Sequence, residues 1–394
     1  MTVRMQLFPI RAAALSSCLL LAACGAQPTA PSDSSRITLT QDEAALNARV
    51  QYYEDESIPL YSLDLSTDLN HIAQQNGFQI KLRAEVAPPR FQGHTLHAVH
   101  VTFDKRRAYV AYSTVNDTYR GAVEIYDITR KSHPRILSQA LFADTDITIA
   151  ARFGDKLFLG EATDSNADPR FNSPACLETI ELRDNRLTDR SQRVDLPSFN
   201  ANDIACFDST IFVTSGTTHG AVSLFHAHSL TLSHKIELEG AKAVDHSERE
   251  IVVMEGTGTR LHLFNRKTRE FVRTIEIGCT NFFQAKAEIQ VVNEKVFLSA
   301  WECGVKVVDL GSGAIAATIP APDGGHCNAV SVDGDLIFMA DGSDGLLIAK
   351  MDGTGYEILG RAKFDGSTNF VAARENTVFV ANGTGGLKIL EIVR

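Results

Sequence analysis

Asp341 and Asp344 stand in the run "FMADGSDGLLIAKMDG" (Phe338 to Gly353), where carboxylates and glycines crowd one short turn as they do in a calcium loop. A D-x-[DN]-x-[DN]-G loop takes its ligands from alternate positions, whereas these two aspartates are i, i+3. Two comparable turns, "NGTGG" (Asn382 to Gly386) and "EGTGT" (Glu255 to Thr259), keep the glycine but not the pair of carboxylates. Glycine is what a turn with left-handed backbone requires, so the pattern reads as a corner and not as a metal site. Acid–base chemistry has one pair of candidates, His100 as base and Asp245 as the carboxylate orienting it, provided the fold brings them together. No serine or cysteine lies in a recognisable nucleophile elbow. The cysteines form no C-x-x-C pair and no Cys/His cluster at zinc spacing, so neither a metal nor another cofactor is predicted.

The elements that must position these residues show themselves as a repeat. "NAVSVDGDLIFMADGSDGLLIAKM" from Asn328 matches "NFVAARENTVFVANGTGGLKILEI" from Asn369; further copies begin at Asn202, Lys242 and Ala287, and two diverged ones at His97 and near Thr148. Each copy alternates short β-rich runs with polar or Gly-rich turns over roughly 40 residues, which predicts an all-β, seven-bladed propeller of four-stranded blades. The seventh copy stops at Arg394 after three strands. "IKLRAEV" (Ile80 to Val86) resembles "ILGRAKF" (Ile358 to Phe364), the fourth strand of the sixth copy, so an N-terminal strand is expected to complete the last blade. Closing the ring this way removes exposed sheet edges.

The propeller is thereby assigned to residues 77–394 and a small extension to residues 36–76. In the extension, Thr40-Gln41-Asp42-Glu43 reads as a capping box opening a helix to about Tyr52, and Ser66-Thr67 to Gly77 as a second short helix with a glycine stop. Its expected role is packing against the ring near the closure.

In such a ring His97, Thr148, Asn202, Lys242, Ala287, Asn328 and Asn369 occupy one equivalent seat, the start of each innermost strand, and should surround one mouth of the central channel. Two readings are open: a polar ligand or ion site made by His97, Asn202, Lys242, Asn328 and Asn369, or side chains that cap strand starts and bond to neighbouring blades. Further along the same strands come His100 and Asp245, among Ala151, Ala205, Gln290, Ser331 and Ala372. Loops that enter blades and turns between second and third strands emerge on one face, so Cys303 is placed to pair with either Cys327 or Cys279. Cys206 belongs near the opposite end of its strand, which disfavours a bond to Cys176.

"AYVAYS…GAVEIYDITRKSHPRIL" (Ala108 to Leu137) and "VFLSAWECGVKVVDL" (Val296 to Leu310) resemble LVIVD repeats, a propeller-forming type named for its third strand. The resemblance extends over most of residues 97–394. It departs in blade 2, where "TDSNADPRFNSPAC" lengthens a turn, and in blade 4, where "LHLFNRKTRE" lacks the aspartate. The Trp-Asp pairs of WD40 repeats do not occur, and Trp301 is the single tryptophan, against one in most blades of quinoprotein propellers.

At the N-terminus, Arg4 and Arg11 precede the apolar run "AAALSSCLLLAAC", too short to span a bilayer and ending in small residues as a secretory signal does. Leu21-Ala22-Ala23-Cys24 resembles the lipobox of bacterial lipoproteins, which implies cleavage after residue 23, lipidation of Cys24 with acyl chains such as palmitate, and, with Gly25 following, sorting to the outer membrane. Residues 24–35 are small and polar and read as a flexible linker. The chain carries a net charge of −10, and losing the signal removes two arginines and no acid. Nucleic acid and anionic lipid surfaces both need clustered Lys and Arg, so neither is an expected partner. The expectation is a membrane-tethered, non-enzymatic binding or scaffold module, a monomer or part of a hetero-complex, engaging a protein or glycan of the cell envelope. The blade 2 insertion, residues 161–175, is the expected seat of specificity. The alternative is a propeller hydrolase or lactonase with a metal-dependent site at the channel mouth.

Overall fold

The computed structural model describes residues 36–62, 77–115, 118–165, 171–216, 218–279, 285–322, 325–353 and 355–394. They form a seven-bladed β-propeller in which every blade is a four-stranded antiparallel meander, extended to five strands in blades 1 and 7. Apolar alternation explains how the blades stack. In blade 6 the second strand, Leu336–Ala340, is buried throughout. Ile337 and Met339 enter the cluster shared with blade 5, while Leu336, Phe338 and Ala340 enter the one shared with blade 7. A strand sandwiched on both faces reads as a continuous apolar run because side chains alternate between two dry interfaces. Seven such clusters lie among the described residues, one between each successive pair of blades. Burying a side chain the size of Phe338 contributes about 2–3 kcal/mol, so the ring is held mainly by these interfaces.

The closure follows the expected scheme. The last strand, Leu387–Val393, pairs with an N-terminal strand, Gln79–Val86, in antiparallel register from Gln79 opposite Val393 to Val86 opposite Leu387. Three elements precede that strand: β1 (Ile37–Thr40), α1 (Glu43–Asn47) and β2 (Val50–Ile58). The β1 strand adds a fifth strand to blade 1 by pairing with Arg135–Phe142, and β2 adds a fifth to blade 7 by pairing with Gln79–Val86. Between them Leu46 of α1 is buried in the blade 7–blade 1 cluster. Asn47 exchanges two hydrogen bonds with the backbone of Ile136, both 2.9 Å, standing in for a strand neighbour. The extension therefore straps the seam on its outer side.

This corrects the helical reading of residues 36–76. The helix is a single turn, capped by Asp42, whose Oδ1 accepts from the Ala44 and Ala45 amides, and not by Thr40, which ends β1. Val50 to Tyr52, expected to end that helix, instead open a strand because the open edge of blade 7 offers backbone partners to a run that begins with the β-formers Val50, Tyr52 and Tyr53. The second expected helix falls on residues 66–77, nearly all of which lie outside the described residues.

Candidate functional site at the channel mouth

Each innermost strand starts at the mouth, and there most polar side chains in the equivalent seat reach the next blade. Thr148 Oγ1 donates to the Ala201 carbonyl at 2.7 Å, Asn202 Nδ2 to Ala241 at 2.7 Å, Asn328 Nδ2 to Thr368 at 3.2 Å and Asn369 Nδ2 to Ala98 at 3.3 Å. A carbonyl has two lone pairs, and an amide or hydroxyl from the preceding blade fills one that the strand ladder leaves open. The asparagines thus act as latches between blades.

A second tier lies deeper. Asp203 Oδ2 accepts from the Val244 amide at 2.8 Å, Asp245 Oδ2 from Val291 at 2.7 Å, Gln290 Oε1 from Val332 at 2.7 Å and Ser331 Oγ from Ala373 at 3.0 Å. Thr102 Oγ1 does the corresponding job between blades 1 and 2, donating to the Ala150 carbonyl at 2.6 Å. Asp245 spends its other oxygen on the His246 amide, 2.8 Å away. His100 is buried against Phe370, with ring centroids 3.9 Å apart, and its Nδ1 has no partner. Burial, with Lys286 adding to it, lowers His100 to about 3 and keeps the imidazole neutral. The structure therefore does not join His100 and Asp245 as base and orienting carboxylate. Asp245 clasps blade 4 to blade 5, and His100 fills the channel wall.

Lys242 departs from the latch pattern. It is 8% exposed, yet its ammonium has neither a hydrogen bond nor an ion pair, and its own carbonyl is latched by Thr214 Oγ1 at 2.9 Å. At the Ala287 seat, Ser299 Oγ bridges instead to the Asn328 carbonyl at 3.2 Å. Beside Ala287 stand Lys286 and Glu288, which alignment of the repeats passes over. Since the blade 5 strand begins only at Ile289, residues 285–288 are irregular and both flanking side chains turn inward. The signal for them was an alanine in a seat that is polar in blades 2, 3, 4, 6 and 7. Lys286 lowers both His97 and His100 on blade 1, although it issues from blade 5, so its charge lies across the channel.

These residues line a cavity of about 210 Å³ together with Thr148, Asn202 and Asn328; His97 and Asn369 are not part of its wall. Its charges are segregated. Burial lowers Lys242 to about 8, and the surrounding channel wall lowers Lys286 to about 8 although its side chain is exposed to the channel; no carboxylate offsets either shift. Below them, burial and mutual repulsion push Asp203 up to about 7 and Glu288 well above the usual carboxylate range, and burial raises Asp245. Among the described residues no three His, Cys, Asp or Glu side chains converge as a metal site.

The loop that carries Lys286 is pinned by a disulfide between Cys279 and Cys303, with Cα atoms 6.2 Å apart. Cys327, the other partner open to Cys303, is a buried thiol, and Cys176 and Cys206 are also free. With the bonded cysteines 24 positions apart in sequence, the entropy of closing that loop implies that reduction should destabilise the protein by about 3 kcal/mol. Guanidinium unfolding with and without dithiothreitol measures this; an unchanged midpoint would show that the bridge constrains nothing.

No family model matches the sequence, and no curated protein matches it. Solved structures do match in shape. The WD40 repeats of RRP9 align with a TM-score of 0.62 at 11% identity, covering 86% of this chain and all of that one. The WD40 propeller domain of Doa1 aligns at 0.55 and 12% identity, covering 77% and 96%. U3-55K aligns at 0.58 and 11% identity, covering 79% and 98%. At such identities the likeness is one of fold: the chain is similar in architecture to WD40 propellers while lacking their Trp-Asp pairs.

Proposed function

We propose that this chain is a binding or scaffold module of the bacterial cell envelope, built on LVIVD-type repeats, anchored to the outer membrane through a lipid on Cys24, and engaging a protein partner through its mouth face. A rigid ring presenting loops is suited to recognition. The observation that carries the reading is the exposure of Val115 and Phe199, 57% and 62%, in turns of that face that flank the blade 2 insertion in ring order. The insertion's returning arm is anchored: Asn172 Nδ2 donates to Asp195 at 2.7 Å, and Phe171 lies under Arg193 with 4.5 Å between guanidinium and ring. The anchoring fixes the base of the insertion on the C-terminal side. The hydrolase reading has no comparable support, because Asp245 and His100 are engaged separately.

Affinity capture from detergent-solubilised membranes tests this, comparing the wild type with a deletion of residues 164–170. A partner recovered reproducibly with the wild type and lost with the deletion is the expected result, and a Cys24→Ala variant should move to the soluble fraction while still binding. If neither form recovers a partner, while the purified protein turns over esters or lactones in a metal-dependent manner, the reading is wrong.

A further inference from the structure

We propose that the channel mouth binds a small oxyanion, one carrying two or more anionic oxygens, clamped between Lys242 and Lys286. The chain is acidic overall; among the described residues Lys242 is a buried cation without a partner, Lys286 beside it is exposed to the channel, and the other buried cations are matched. Arg36 and Arg193 face Glu178 and Glu161, Arg49 faces Glu124, Arg361 faces Asp344, and Lys388 faces Glu85. The two mouth lysines are the exceptions among the described residues that line the cavity. A buried ammonium without a partner is unfavourable, and sequences retain one where a ligand completes it.

The ring itself does not need either lysine. Ser299 makes the blade 5–blade 6 latch beside Lys286, and blade 4 is bonded to blade 5 through Asp245 and not through Lys242, so neither ammonium has a bonding task in the ring. The carboxylates below cannot serve as counter-charges, since Asp203 and Asp245 are spent on backbone amides and Glu288 is driven towards its neutral form. Both ammoniums remain largely protonated at pH 7 despite the lowering that their surroundings impose. The cavity lies below the roughly 300–1,000 Å³ of sites that take drug-sized ligands, which points to a compact anion. Lys242 issues from blade 4 and Lys286 from the segment that enters blade 5, and both line this cavity, so an anion held by both would bridge neighbouring blades.

The inference is independent of the protein partner and is tested on the purified chain alone. Titration with inorganic phosphate and with citrate, against chloride at matched ionic strength, should give saturable one-to-one binding and a rise in melting temperature for at least one of them. Lys242→Met and Lys286→Gln should each weaken binding about ten- to hundredfold, the range for losing a charged hydrogen bond, and the double variant should abolish it. Lys267→Met, in an exposed hairpin, should leave it unchanged. Lys242→Met removes an unpaired buried charge and should melt higher than the wild type in anion-free buffer, which also establishes that the variant folds. No saturable binding of either anion, or binding that survives in the double variant, overturns the proposal. The deletion in blade 2 keeps both lysines, so a failed titration leaves the partner-capture result standing.

Discussion

Replacing Arg36 with alanine should destabilise the protein by about 3–5 kcal/mol, as expected when one member of a buried ion-pair network is removed. Arg36 grips Glu178 with two hydrogen bonds, Nη1 to Oε1 at 2.9 Å and Nη2 to Oε2 at 2.6 Å, and turns Nε to Asp144 at 3.1 Å. Glu178 and Glu161 are wholly buried and Arg193, which meets Glu161 at 2.9 Å, is the other guanidinium among them. Without Arg36, three carboxylates would face one cation. The loss also unpins the start of β1, because Arg36 immediately precedes it.

The effect should depend on pH in a definite direction. The Arg36 guanidinium counters the burial that would raise Glu178 and leaves that carboxyl below its ordinary value. A depressed folded-state pKa contributes stability above the unfolded value, and the contribution is lost as pH falls through the folded one. The difference between wild type and Arg36→Ala should therefore be largest near neutrality and shrink below the ordinary glutamate range. Glu178→Gln in the alanine background should recover part of the loss. Urea unfolding at pH 7 and pH 4 measures all of this; a deficit under about 1 kcal/mol at both, typical of a solvent-screened surface pair, would refute the network's role.

How much of this was legible beforehand differs from element to element. The ring and its closure were, because seven copies of one pattern constrain each other and because Ile80–Val86 repeats the letters of a fourth strand. The strands β1 and β2 were not. "ITLT" is too short to show a period, and the letters that open the capping box are the same whether one helical turn follows or three. What decided Val50–Ile58 was the vacant edge of blade 7, a tertiary fact. At the mouth six of the seats were equated in register, whereas in blade 1 the bulged residue that matches Thr148, Asn202 and Lys242 is Val99 and not His97, and side-chain identity left both latch and ligand open. Asn202, Asn328 and Asn369 turned out to be latches. Lys242 differs in a way no spacing shows: the bond from blade 4 to blade 5 is made deeper in the same strand, by Asp245.

The recurring glycine of the "DGSDG" and "NGTGG" turns leads to the second large effect. Gly304, Gly345 and Gly386 hold the same place in blades 5, 6 and 7, with φ of +69°, +91° and +72°. A Cβ there would lie 2.1 Å from the Ile319 carbonyl oxygen, 2.2 Å from that of Ala362 and 2.0 Å from that of Val86. Each glycine thus lets the turn close against the blade's fourth strand, and in blade 7 that strand comes from the other end of the chain. Gly386→Ala should lower stability by about 4 kcal/mol, combining the left-handed backbone penalty with a clash against backbone that cannot rotate away. Gly353→Ala, also at positive φ but with nothing within 4 Å, should lower it by only about 1 kcal/mol.

The site of failure separates a seam from an ordinary turn. In Gly304→Ala the displaced carbonyl belongs to a strand tied by a hairpin to its own blade, so destabilisation should appear as a lower global midpoint. In Gly386→Ala the displaced strand, Gln79–Val86, is held to blade 7 only by pairing and packing, so it should detach before the ring unfolds. Limited proteolysis under native conditions should then cut within residues 77–96 of Gly386→Ala first, and leave that segment of Gly304→Ala as resistant as in the wild type. Equal resistance in both variants would mean that the outer strap of β1, α1 and β2, and not the paired strand, is what keeps the propeller closed.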